Sequence, residues 1–182
     1  MTWLLVVRVP PCPMRMIQCL LVRWRTAAQT KMQKGKMPMV NMTDLHRKAD
    51  ALGVTLQRHT GGPPGWYDHQ HQVISTRRGQ SCAQYRSVLA HELGHADHGD
   101  LPTGNGYFDQ RQEQRADAYA ARLLISPVEF EAAAIWHQDH LPAIADELEV
   151  THHLLKIWME LFQSGRIDTV SYTHLTLPTT PY

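Results

Sequence analysis

Beyond residue 42 the apolar residues fall into short blocks with distinct periods. Leu45, Ala49 and Leu52 share one helical face, which predicts a helix over 43–52 with Thr43 as its cap. Val54 and Leu56 begin a strand, and Gly61-Gly62-Pro63-Pro64-Gly65 forms a loop. Residues 66–76 read as extended structure, with Val73-Ile74 as the buried part. Gly79 breaks that stretch, and Ser81 caps a helix running to about His98. Three glycines and a proline make residues 99–108 a loop, and a second long helix covers about 109–125. Ser126-Pro127-Val128-Glu129 reads as a capping box with proline at the first helical position. Two short helices follow at about 141–148 and 151–163, the latter capped by Thr151. Helix, strands, then helices predict an α+β domain, and no internal repeat is visible.

Charge separates this middle from the ends. Seven of the 18 Lys/Arg lie in residues 1–43, which hold no acid, so the remainder carries 11 bases against all 17 acids. Residues 1–41 have no clean period. The apolar Leu4–Val7 run suggests a signal peptide, but Arg8 and three prolines interrupt it and no small-residue cleavage site follows. A basic arm for nucleic acid is a second reading; a disordered or spurious extension fits the composition best. Residues 169–182 resemble a translated cloning adapter more than a folded element. The expected working domain is therefore 42–168. The overall net charge of +1 gives no reason to expect direct nucleic-acid binding, and no uncharged apolar run is long enough to span a membrane. Cys12, Cys19 and Cys82 cannot make a disulfide framework, which fits a reducing, cytoplasmic setting.

Histidine, with 12 residues, is the compositional hint of chemistry, and it leads to His91-Glu92-Leu93-Gly94-His95. Helical positions four apart differ by only about 40° in azimuth, so both imidazoles leave one face and reach a common ion. Glu92, about 100° round from His91, stands beside that face, placed to take a proton from a water without binding the ion itself. Chance supplies only about 0.03 such HExxH matches in a chain of this composition, so a surface helix with two unrelated histidines is the weaker reading.

A catalytic zinc needs a third protein ligand. The longer pattern with a third histidine after a glycine fails here, because Gly99 comes one residue late and Leu101 stands where that histidine is required. His98 is a candidate substrate-side or proton-shuttling residue, or simply a histidine complementing the helix C-terminus. Glu113 is the better ligand, 18 residues past His95 across a glycine-rich loop. Asp117, four residues on, shares its face and suits a partner that accepts an N–H from a ligating imidazole. The competing reading makes both carboxylates solvated surface charges beside Arg111 and Arg115.

The run Arg86–His95, the later Glu113-xxx-Asp117-x-Tyr119-Ala120-Ala121-x-Leu123-Leu124 and Ser126-Pro127 together resemble the ImmA/IrrE family of metallo-endopeptidases over roughly residues 44–163. The resemblance implies a small zincin-like, specifically gluzincin-like, domain with a short three-stranded sheet packed on the HExxH helix. It implies a helical C-terminal part in which residues 144–155 form a helix-turn-helix-like segment. It also implies a substrate class, transcriptional repressors of the helix-turn-helix type, often controlling mobile elements or stress responses. The 144–155 segment offers His152, His153 and Lys156 behind an acidic first helix, a poor set for DNA, and reads as structural or as a docking surface.

The expected activity is zinc-dependent peptide-bond hydrolysis with one Zn²⁺ per chain on His91, His95 and Glu113, and Glu92 as the general base. The alternative is a non-catalytic zinc-containing module that binds a repressor or DNA; Glu92 argues against it, since a structural site has no use for a base. Candidate oxyanion donors are His69, His71, His98, Tyr107 and Tyr119, and the segment around Val73-Ile74 is a candidate strand edge for an extended substrate.

Overall fold

The structure, a computed structural model, describes residues 40–167. Both ends set aside above, with their signal-peptide and basic-arm readings, lie outside the described residues, save residues 40 and 41. Among the described residues the order is α1 (Met42–Ala51), β1 (Thr55–His59), β2 (Gly65–Asp68), β3 (Val73–Arg77), α2 (Cys82–His98), α3 (Gly106–Leu124), α4 (Pro127–Trp136), α5 (Leu141–Glu147) and α6 (His152–Gln163). The architecture is α+β, with a small three-stranded sheet packed on α2, as the resemblance implied. None of the described helices is long and apolar enough to cross a membrane.

Local chemistry corrects several boundaries. Asn41, not Thr43, caps α1: its Oδ1 accepts the Asp44 N–H at 3.0 Å while Asp44 Oδ2 accepts the Asn41 N–H at 3.1 Å. The extended stretch 66–76 is two strands. Asp68 Oδ1 accepts the N–H groups of Gln70 (2.9 Å) and His71 (3.2 Å), and Gln72 turns the chain at φ 52°. The strand order is β1-β3-β2, with β1 parallel and β2 antiparallel to β3, and Leu56 and Tyr67 both opposite Ile74. Val73-Ile74 is therefore on the central strand and offers no free edge; β2 is the edge beside the site. The third correction is α3, which starts at Gly106 because Asn105 Oδ1 accepts the Tyr107 N–H at 3.1 Å.

Ile74 from the sheet, Leu89 and Leu93 from α2, and Leu45 and Ala49 from α1 are fully buried together. Helices α2 and α3 meet through small residues. A Cβ on Gly94 would sit 3.0 Å from Ala116 Cα, so the glycine is what allows this approach. On the far side of α3, Trp158 of α6 is buried and donates its Nε1–H to Ile125 O at 3.0 Å, with its ring against Phe130.

The start of α6 is tied to α2 by polar contacts. Buried Arg86 donates to the carbonyl of Leu148 (3.3 Å), to Glu149 Oε2 (2.7 Å) and to Val40 O (2.8 Å). Ser87 Oγ accepts the Thr151 N–H at 3.0 Å. The α5–α6 junction, read above as helix-turn-helix-like, is thus fastened to the helix that carries the histidines.

Candidate metal centre and cleft

The two histidines of α2 and Glu113 of α3 converge. His91 Nε2 lies 3.1 Å from His95 Nε2 and 3.3 Å from Glu113 Oε2, and His95 Nε2 lies 3.5 Å from Glu113 Oε1. Bonds of about 2.0–2.1 Å at tetrahedral angles place neighbouring donors about 3.3–3.4 Å apart. The two Glu113 distances run to different carboxylate oxygens; taken one atom per residue, the three donors lie within 4.8 Å of one another, close enough to converge on one ion after small side-chain adjustment. Glu113 is 61% exposed at its side chain, against 21% and 12% for the histidines, so the carboxylate stands on the solvent side of the group. Four-residue helical spacing accounts for the histidine pair, and the α2–α3 approach at Gly94 accounts for the carboxylate.

Each imidazole is held from behind. His91 Nδ1–H donates to Asp117 Oδ1 at 2.9 Å, and His95 Nδ1–H donates to Asp100 Oδ2 at 3.0 Å. With the proton on Nδ1, each Nε2 presents its lone pair to the shared point, the tautomer a metal requires. Asp100 reaches back because Gly99 ends α2 in the left-handed conformation (φ 65°). Arg115 pairs with the other oxygen of Asp100. Burial disfavours the charged forms of His91 and Asp117, yet their mutual hydrogen bond and charge outweigh it. His91 is raised above the usual histidine value, with the Glu92 and Glu113 charges helping, and Asp117 is lowered below the usual carboxylate value.

Glu92 points from the same helix turn into the interior and is only 7% exposed. Burial pushes its carboxyl up to about 7; His91 opposes the shift and Glu113 adds to it. Gly65, the first residue of β2, presses its backbone against this side chain. A Cβ there would fall 2.9 Å from Glu92 Oε1 and collide with Val88 Cγ1. The donors and Glu92 share a cleft of about 700 Å³. Edge strand β2 contributes Trp66 and Tyr67 to its lining, the loop after α2 contributes Leu101, and α6 contributes His153 and Leu154.

The donors proposed from sequence for an oxyanion fall elsewhere. His98 Nδ1–H donates to Gly94 O at 2.7 Å, and its ring meets Tyr119. His71 pairs with Asp68, His69 lies against Tyr67, and Tyr107 packs on Phe108. None of the five lines the cleft. Sequence reasoning missed Asp100, Gly65 and the approach of His153 to Asp117, whose Oδ2 lies 3.4 Å from His153 Nε2. A glycine closing the helix just before Asp100 was the only local signal for any of them.

Residues 49–157 match the Peptidase M78 family, described as the IrrE N-terminal-like domain. No curated protein matches the chain.

Proposed function

The chain belongs to the IrrE N-terminal-like peptidase family, a metallopeptidase-type assignment, and from that premise we propose that it is a zinc-dependent endopeptidase cutting a helix-turn-helix transcriptional repressor. The observation that supports it best is the convergence of His91, His95 and Glu113, whose ligand atoms lie within 4.8 Å of one another, with both imidazole Nδ1 atoms engaged by carboxylates. One Zn²⁺ would be held by His91, His95 and Glu113. When bound, it supplies Lewis acidity that polarises the scissile carbonyl and acidifies a water.

The chain's own residues do the rest. Glu92, buried beside the three donors, takes the proton of the attacking water and passes it to the departing amine. Asp117 and Asp100 hold the imidazoles in the ligating tautomer. The free edge of β2 offers backbone donors and acceptors to an extended peptide lying in the cleft. The repressor as substrate rests on the family resemblance, and a cytoplasmic setting is the one in which such a substrate is met.

The test uses Glu92→Gln, which keeps size and polarity but removes the base. Zinc content and cleavage of a helix-turn-helix repressor encoded beside this chain are measured on one preparation. We expect zinc near one per chain in both proteins and cleavage lower by at least about 10²-fold in the variant. Equal cleavage by parent and variant would remove Glu92 from the mechanism. A zinc-loaded parent that binds the repressor without cutting it would favour the non-catalytic module.

A further inference from the structure

Peptide hydrolysis places negative charge on the carbonyl oxygen, and a hydrogen-bond donor directed at that oxygen stabilises it. The donors suggested by the sequence do not reach the cleft. Three imidazoles line the cleft, those of His91 and His95 and one more. His153, second residue of α6, lines the cleft and places Nε2 3.4 Å from Asp117 Oδ2, the same carboxylate whose Oδ1 holds His91. Its side chain is 73% exposed, so the ring can turn from Asp117 toward a ligand in the cleft. Its backbone is not free in the same way. Thr151 is bonded to Ser87, and Arg86 holds Leu148 and Glu149, so α6 begins at a set place on the helix that carries His91 and His95.

On the peptidase reading, we infer that His153 is a catalytic residue: a ring N–H of His153 donates a hydrogen bond to the substrate carbonyl oxygen as it gains charge, with Asp117 positioning the ring between turnovers. No proton is transferred in this role. Removal of one such donor costs about 10²–10³ in kcat.

The experiment compares zinc-loaded parent, His153→Ala and His153→Gln without needing the natural substrate. The probes are a leucyl dipeptide phosphonamidate, whose tetrahedral anion imitates the charged carbonyl, and a hydroxamate with the same side chains. Zinc affinity is measured alongside by chelator competition. We expect His153→Ala to bind zinc and the hydroxamate within about twofold of the parent but the phosphonamidate at least about tenfold more weakly, since transition-state-like ligands sense such donors selectively. His153→Gln, which keeps an N–H, should recover part of that loss. Equal phosphonamidate affinity in parent and His153→Ala overturns the assignment. So does a parallel loss of zinc affinity, which would mean that His153 acts through Asp117 on His91. A zinc-loaded parent that binds neither probe would instead count against the peptidase reading.

Discussion

Gly94→Ala probes whether the metal position depends on how closely two helices approach. The added Cβ would lie 3.0 Å from Ala116 Cα, 3.2 Å from Ala116 O and 3.2 Å from Tyr119 Cδ1, against an ordinary contact of 3.4–4 Å. Two of the three atoms are backbone, so α3 must move as a body by roughly 0.4 Å to restore contact. Two energies compete. Alanine gains about 1 kcal/mol over glycine in a helix interior, while overpacking costs about 1–3 kcal/mol. Metal-free stability should therefore change little, or fall by at most about 2 kcal/mol. The site suffers more. Glu113 rides on α3 and the histidines on α2, and zinc–ligand distances tolerate only about ±0.2 Å. We expect zinc affinity to fall about tenfold or more. Trimming Ala116 to glycine should not rescue it, because the collision is with backbone atoms that remain. Thermal unfolding of the metal-free protein and chelator competition measure the two effects separately. If Gly94→Ala melts at or above the parent temperature and binds zinc equally well, the close approach does not govern the site and the reasoning fails.

Zinc titrations should rank the surrounding residues. His91→Ala or His95→Ala should abolish stoichiometric binding, and Glu113→Ala should weaken it strongly, whereas Asp117→Ala and Asp100→Ala should each cost about 10- to 100-fold; a Glu113→Ala protein with normal affinity would sink its assignment as a ligand. Metal-free stability should carry a signature of Glu92. Its folded carboxyl holds a proton up to about pH 7 against 4.5 for a free glutamate side chain, so its contribution is full below about pH 4.5 and is lost as pH rises through 7. Glu92→Gln should therefore be more stable than the parent at pH 8, by at most about 3 kcal/mol, with the advantage gone near pH 4; a difference independent of pH in chemical denaturation would contradict this. Finally, a fragment of residues 40–168 should fold and retain zinc binding, since Asn41 caps α1 and Val40 O accepts from Arg86. An unfolded fragment beside a stable full chain would show that the ends belong to the domain.

What was readable in the sequence is what helix geometry enforces locally. His91 and His95, and likewise Glu113 and Asp117, are four apart on proline-free helical runs, so each pair shares a face whatever the rest of the chain does. Glu92 is displaced from that face by the same geometry. Capping chemistry marked the starts of α2, α4 and α6 at Ser81, Ser126 and Thr151, and helix–strand–helix order marked the α+β class. Where two local options competed, reading along the chain chose less well, as with Asn41 over Thr43 and the turn at 69–72.

Tertiary structure decided the contacts between elements. Strand order made β2 the edge and put Val73-Ile74 in the middle, because pairing depends on which strands meet and not on how apolar each one is. Gly65 meets Glu92 across 27 positions and His153 meets Asp117 across 36, separations on which no periodicity bears. Asp100 is only five residues from His95, yet its contact needs the left-handed Gly99 to turn the chain back. A helix repeats its faces every few residues, so its sequence displays which side chains stand together. The burial that raises Glu92 and the carboxylates that orient the two imidazoles come from segments brought together by packing, and packing is a property of the whole folded chain.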